Sequence, residues 1–143
     1  MPYRYLDGLT QADVAFQVRG RDLEEVFRSA WAATLEVMVK NSAGLQARER
    51  RNVEVQSASA DLLLFNLLQE MLFYKDAEGL LLQLDSLRIE ELPGGYRLQA
   101  GLAGETVDPE RHELGVDVKA VTLHRFSLEH TDEGWKATVV LDI

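Results

Sequence analysis

Two acidic residues at opposite ends of the chain have the types and positions for metal chemistry. Asp13 stands just before the first strand pattern, where a carboxylate commonly serves a turn or a helix cap instead. Asp142 is next to last, in Leu141-Asp142-Ile143, where a strand pattern continues to the final residue although termini usually fray. Such a strand would fix the Asp142 carboxylate near the Ile143 α-carboxylate. Hard oxygen ligands of this kind suit Ca²⁺, Mg²⁺ or Mn²⁺.

Other familiar site chemistries have no motif in the sequence. The chain has no cysteine, which excludes thiolate metal sites and cysteine nucleophiles. It contains no glycine-rich dinucleotide loop, no phosphate-binding loop and no Gly-x-Ser-x-Gly elbow. His112, His124 and His130 lack zinc-ligand spacing, and we expect each of them to be a surface or sheet residue. The basic cluster Arg48–Arg51 is typical of a solvated loop or a strand entry, with phosphate binding as the weaker alternative.

The composition predicts one soluble domain spanning residues 1–143. The chain has 143 residues, 46% of them hydrophobic, and a domain of this size buries roughly 68–70% of its unfolded surface. Asp and Glu outnumber Lys and Arg by 24 to 15, which gives a net charge of −9. This charge opposes direct nucleic-acid binding, because such binding depends on cationic side chains that replace phosphate counterions. No apolar run approaches the roughly 20 residues of a membrane span, so we expect a cytoplasmic protein that does not contact membranes.

Two helices, one amphipathic and one almost entirely apolar, are predicted in the domain that positions Asp13 and Asp142. Val14–Val18 alternates as a short strand, and Asp22 can cap a helix whose apolar residues continue with helical spacing to Met38. A second helix, from about Asp61 to Tyr74, is apolar almost all round and should be heavily buried. Ser57 or Ser59 can cap this second helix.

After Gly79 the apolar spacing changes to period two, which predicts antiparallel strands. A hairpin turns at Pro93-Gly94-Gly95, a long strand covers Val116–Leu128, and a last strand covers Trp135–Ile143. Two helices combined with these strands predict an α+β fold. We expect a two-layer sandwich in which the two main helices pack on a mostly antiparallel sheet.

Several short motifs occur in the order found in a known protein family, although each motif alone is weak evidence for that family. They are Tyr5-Leu6-Asp7 leading to Thr10-Gln11-Ala12-Asp13-Val14, Gly20-x-Asp22-Leu23-Glu24-Glu25-x-Phe27, Gly104-Glu105, Val118-Lys119-Ala120-Val121-Thr122-Leu123-His124 and Val140-Leu141-Asp142-Ile143. Taken together, they make the chain resemble the archease family over essentially its whole length.

The resemblance implies a function as the partner of an enzyme. Archeases are accessory proteins of the RtcB-type RNA ligase, which joins RNA ends with GTP and manganese in tRNA splicing and RNA repair. A member of the family would promote formation of the ligase–guanylate intermediate and sustain turnover without itself being an enzyme. The family's divalent-ion site matches Asp13, Asp142 and Ile143 here, with calcium as the first expectation and manganese or magnesium as alternatives. The lysine that the family needs for activation matches Lys119.

One segment departs from the family pattern. The usual Asp-His-Thr-Ala-Asp reads Asp7-Gly8-Leu9-Thr10-Gln11-Ala12-Asp13, so the histidine is absent and two residues are added. Asp7 therefore competes with Asp13 as a metal ligand, although the Ala-Asp-Val context favours Asp13. The alternative functions are a small metal-dependent hydrolase that uses Asp13 and Asp142, and a general chaperone of RNA-modifying enzymes.

Overall fold

The computed structural model describes residues 3–6 and 13–143. Its elements in chain order are β1 Tyr3–Leu6, β2 Asp13–Gly20, α1 Leu23–Met38, a 3₁₀ turn Ser42–Gly44, β3 Glu49–Ser57, α2 Ala60–Glu78, β4 Leu80–Leu92, β5 Gly95–Thr106, β6 Ala120–Thr131 and β7 Gly134–Asp142. The predicted α+β class with two main helices is confirmed. The strands divide between two sheets, with orders β1-β2-β7-β6 and β3-β5-β4, and all their pairings are antiparallel.

Both helices contact both sheets. Helix α1 contacts β2 and β7 of the four-stranded sheet and β4 of the other, whereas α2 contacts β6 and all three strands of the smaller sheet. The indole Nε1 of Trp31 in α1 donates a hydrogen bond to the Leu82 carbonyl of β4 at 2.9 Å. Helix α2 has apolar residues around most of its circumference, so it must be covered on more than one side. The second sheet provides part of that cover.

The side chain of Asp22 caps α1 as predicted, whereas neither candidate serine caps α2 through a side-chain bond to the helix. Asp22 is the N-cap of α1, and its Oδ1 accepts the Glu25 N–H at 2.8 Å, as its position predicts. Ser59 occupies the N-cap position of α2 without a side-chain cap bond, while the Ser57 hydroxyl accepts the Ser59 N–H. Helix α2 is also less completely buried than predicted, because Leu62 and Phe73 are exposed.

Two strands differ from their predicted course for local reasons. The alternation in β4 changes phase because the register with β5 shifts between Leu84 and Ser86. The strand predicted from Val116 begins only at Ala120. Before that point the Gly115 and Val116 N–H groups bond the Met38 and Val37 carbonyls at the end of α1, so the chain satisfies its backbone there and not in the sheet.

One hydrophobic core joins both sheets and both helices. Its largest fully buried side chains include Phe16 of β2, Phe27 and Trp31 of α1, Leu67 of α2 and Leu98 of β5. Among residues 3–6 and 13–143, no helix is both long enough and apolar enough to cross a membrane.

Candidate functional site

The register of β2 and β7 brings together the two acidic residues singled out in the sequence. Asp13, the first residue of β2, lies directly opposite Asp142, the last residue of β7. Residues opposite each other in an antiparallel pair share one face of the sheet, with Cα atoms about 4.5–5.5 Å apart. Both side chains are half-buried. Two carboxylates distant in sequence therefore meet at one end of the four-stranded sheet.

Lys119 and Ile143 lie at the same end of the sheet. The Lys119 N–H donates to the Asp142 carbonyl at 2.8 Å, and the next residue, Ala120, pairs with Asp142 in the β6–β7 register. The Lys119 side chain is exposed, whereas Ile143 is half-buried and follows Asp142 directly. We call Asp13, Lys119, Asp142 and Ile143 the sheet-end site. The structure thus brings together all four residues that the sequence analysis named.

The donor set of the sheet-end site suits a hard cation. Carboxylate oxygens are ligands that Ca²⁺ and Mg²⁺ prefer, and these two lie on one face of the sheet. In the described part of the chain, no Lys or Arg forms an ion pair with Asp142. Residues 3–6 and 13–143 contain no cluster of three or more His, Asp or Glu side chains able to hold a metal. A cation would therefore need main-chain oxygens or water as well.

Asp7, which the sequence offers as a competing ligand, lies outside the described residues. The same holds for Gly8 to Ala12, the segment in which the sequence departs from the family pattern.

Lys75 holds the chain that leads into the sheet-end site, a role that the sequence analysis missed. Its side chain is 12% exposed, and its Nζ lies 2.6 Å from Asp117, 2.9 Å from Asp76 and 2.7 Å from the Val118 carbonyl. Burial acts to lower the pKa of Lys75, but the hydrogen bonds and charges of Asp117 and Asp76 outweigh it and raise the pKa. Asp117 and Val118 immediately precede Lys119, so Lys75 fixes the segment that carries Lys119. A lysine in the last turn of a helix commonly serves the helix dipole, and the sequence gives no other signal.

A second buried cluster surrounds Glu105 at the end of β5. The Glu105 carboxylate accepts two hydrogen bonds from Arg111, at 2.7 and 2.8 Å, and one from the Gln46 N–H. The Arg111 hydrogen bonds and then the Gln46 bond hold the pKa of Glu105 far below its ordinary value. Gly104 precedes it because a Cβ there would lie 1.9 Å from the Leu81 carbonyl oxygen. Glu105 therefore ties the chain around residue 46 to the loop after β5.

His112 belongs to this buried cluster, so its expected place on the surface or in a sheet is wrong. It is 5% exposed; its Nδ1 accepts the Asp108 N–H at 2.9 Å, and its Nε2 lies 3.1 Å from the Glu105 Oε1. His124 and His130 match the prediction, since both are exposed on β6.

The basic cluster around Arg50 lies at the start of β3. Arg50 pairs with Asp85 at 3.2 Å, and Arg51 pairs with Glu78 at 2.7 Å. These arginines are a strand entry neutralised by neighbouring carboxylates, as the favoured interpretation expects.

The chain is similar to known proteins over nearly its whole length. A family model described as the Archease protein family (MTH1598/TM1083) matches residues 3–143. The protein archease of Pyrococcus abyssi is 38% identical over 133 residues, which are 92% of this chain and 93% of that protein. The protein archease of Methanothermobacter thermautotrophicus is 39% identical over 132 residues, again 92% of this chain and 93% of that protein.

Two solved structures share the fold. The solution structure of Methanobacterium thermoautotrophicum protein 1598 has a TM-score of 0.84 and 36% identity, covering 99% of both chains. A Thermotoga maritima crystal structure described as an archease and possible chaperone has a TM-score of 0.65 and covers 94% of this chain and 93% of that one. At 20% identity, this second likeness supports the fold alone.

Proposed function

Because this chain belongs to the archease family, we propose that it is the accessory protein of an RtcB-type RNA ligase. It promotes formation of the ligase–guanylate intermediate and sustains multiple turnover in cytoplasmic tRNA splicing and RNA repair, and it performs no ligation itself. The observation that carries the proposal is the register that sets Asp13 opposite Asp142 and joins the Lys119 N–H to Asp142. RNA contacts are left to the ligase, in keeping with the net charge of −9.

The proposal includes a divalent cation at the sheet-end site. The Asp13 and Asp142 carboxylates and a main-chain oxygen of Ile143 would hold it, with calcium as the first expectation and manganese or magnesium as alternatives. When bound, the cation supplies a positive charge that can neutralise and orient phosphate oxygens. The protein's own residues would provide the acidic cradle, and the main-chain bond from the Lys119 N–H to Asp142 holds Lys119 at the same end of the sheet. We infer that this end of the domain enters the mouth of the ligase active site, where a basic nucleotide pocket would attract it.

A general chaperone is the second candidate function. Large apolar side chains such as Phe73 and Leu123 are 56% and 59% exposed, and exposed apolar surface is what an unfolded client would bind. This candidate requires activity toward clients in the absence of the ligase, whereas the first requires the ligase itself.

The decisive experiment measures ligase guanylylation with labelled GTP at limiting ligase. The test variants are Asp142→Asn, which removes one carboxylate charge, and Lys119→Ala, which keeps the main-chain bond to Asp142 but removes the ammonium. We expect each to lower the stimulated rate by about tenfold or more, because each removes a charged group placed at the partner's reaction.

Matched controls separate this site from general charge effects. Glu133→Gln makes the same charge change as Asp142→Asn, but at the exposed turn at the other end of the β6–β7 hairpin. Lys136→Ala removes a lysine of β7 close to the same turn, at the end of the sheet away from Asp142. Both controls should stimulate like the wild type. Undiminished stimulation by both test variants would defeat the proposal. Suppression of client aggregation without ligase, unaffected by the test variants, would favour the chaperone.

A further inference from the structure

An apolar groove lies close to the sheet-end site along the chain. It has a volume of about 320 Å³ and forms where the chain between β5 and β6 crosses the end of α1. Its apolar lining is Met38, Leu81, Val107, Leu114 and Val116. Leu114 is 42% exposed and Val116 48% exposed, so two aliphatic side chains face solvent within three residues. Exposed apolar residues grouped in a concave site are typical of a contact surface for another molecule.

The segment that carries these side chains is fixed at several points. The Gly115 N–H donates to the Met38 carbonyl and the Val116 N–H to the Val37 carbonyl, at 2.8 and 2.9 Å. A Cβ at Gly115 would lie 2.2 Å from the Val37 carbonyl oxygen, so only glycine allows this close approach. A surface held in place before binding loses little conformational entropy when a partner docks.

The ends of the segment are anchored by buried charged groups. Lys75 holds Asp117 and the Val118 carbonyl, and the Glu105 carboxylate holds Arg111 at the other end. Leu114 and Val116 lie between these two anchors.

The rim of the groove is acidic. Asp76 and Asp117 line it with side chains that are 62% and 73% exposed, and the exposed Glu113 immediately precedes Leu114. Lys75, which also lines the groove, is shared between the two aspartates and almost buried. A complementary occupant therefore has an apolar side chain for the groove and Lys or Arg residues for the rim.

We propose that this groove is the docking surface for the ligase, which inserts an apolar side chain bordered by basic residues. The inference rests on the proposed function and adds the contact that brings the two proteins together. Val116 precedes Lys119 by three residues, a span of at most about 11 Å along the chain. Docking at the groove would therefore set Lys119 and the sheet-end site against the same region of the ligase.

The test is a titration of wild-type protein, Leu114→Ser and Val116→Ser into the guanylylation reaction, with direct binding to the ligase measured in parallel. For each test variant we expect the half-maximal concentration to rise by about tenfold or more with an unchanged maximal rate, since each removes a central apolar contact. Lys119→Ala should show the opposite pattern, a lower maximal rate at a nearly unchanged half-maximal concentration. This split separates docking from activation.

Leu62→Ser is the matched control, because Leu62 is also 42% exposed but lies in the first turn of α2, far from Lys75 in its last turn. It should titrate like the wild type. If Leu114→Ser and Val116→Ser also titrate like Leu62→Ser, the groove is not the docking surface, while the proposed function stands. If they lower only the maximal rate, docking at the groove is likewise overturned. Failure of the wild type to stimulate the ligase at all would instead overturn the proposed function.

Discussion

The Glu105 carboxylate shows how one buried charge can join two loops. It is 5% exposed and accepts hydrogen bonds from Arg111 and from the Gln46 N–H, while His112 packs against it. Its partners belong to the chain before β3 and to the loop after β5, neither of which is held there by a sheet. Hydrogen bonds to a charged group are stronger than those between neutral groups. Glu105 should therefore matter for stability more than any exposed carboxylate.

Glu105→Gln keeps the shape of this side chain and removes its charge. We expect it to lower the free energy of unfolding by about 2 kcal/mol, because the charge-assisted bonds from Arg111 and Gln46 are weakened. Urea unfolding at neutral pH measures the change. Glu133→Gln, an exposed carboxylate in a turn, is the control and should change stability by less than about 0.5 kcal/mol. Equal effects of the two substitutions would contradict the assigned role of Glu105.

The pH dependence of the same comparison follows from the lowered pKa of Glu105. A carboxyl whose pKa is lower in the folded state contributes stability that is fully present above its ordinary pKa of 4.5. That contribution is lost as the pH falls from there toward the folded-state pKa. The stability difference between wild type and Glu105→Gln should thus be constant from pH 6 to pH 8 and shrink below about pH 4.5. A difference that grows in acid would show the opposite sign of pKa shift.

The two helices differ at their first residues in a way that can be measured. The Asp22 side chain accepts the Glu25 N–H at the start of α1, whereas the Ser59 side chain makes no cap bond at the start of α2. We expect Asp22→Ala to destabilise the protein by about 1 kcal/mol. Ser59→Ala should destabilise the protein by only a few tenths of the loss expected for Asp22→Ala. Thermal or urea unfolding of the two variants tests this, and similar losses would mean that the cap bond of Asp22 adds nothing.

Elements with a regular spacing of apolar residues could be predicted from the sequence. Features that depend on contacts between distant parts of the chain could not. The start of α1 follows from Asp22 and the helical spacing behind it. Strand patterns predict β2 and β7, whereas the meeting of Asp13 with Asp142 is implied only by the family resemblance. The late start of β6 depends on carbonyl groups at the end of α1, which no local pattern in residues 114–119 announces. The division of the strands between two sheets likewise depends on which strands pair, a property of the assembled chain.

Candidate site residues divide along the same line. Asp13, Lys119, Asp142 and Ile143 are named by family motifs and lie together in the fold. Lys75 is not, because its role depends on Asp117 and the Val118 carbonyl, which approach it only in three dimensions. The sequence therefore predicts the groups that would act, while the groups that position them require the structure.

The charge of the whole molecule bears on how a cation at the sheet-end site is recognised. With a net charge of −9, any added salt screens repulsion among the carboxylates and stabilises the fold without binding a specific site. A divalent cation bound by Asp13 and Asp142 adds a second, saturable contribution. The two contributions differ in concentration dependence and in their response to substitution, so stability measurements can separate them.

We expect calcium to raise the free energy of unfolding beyond the effect of sodium chloride at equal ionic strength. A cation that binds only the folded protein adds about 2.7 kcal/mol at a concentration one hundred times its Kd. In Asp142→Asn the calcium-specific part should vanish while the sodium response persists, because one of the two paired carboxylates is gone. Glu133→Gln makes the net charge less negative by the same amount as Asp142→Asn, and it should keep the full calcium response. Manganese and magnesium series on the same three proteins would rank the cations. A calcium response equal in all three proteins would show that the ion acts on the overall charge and not through Asp13 and Asp142.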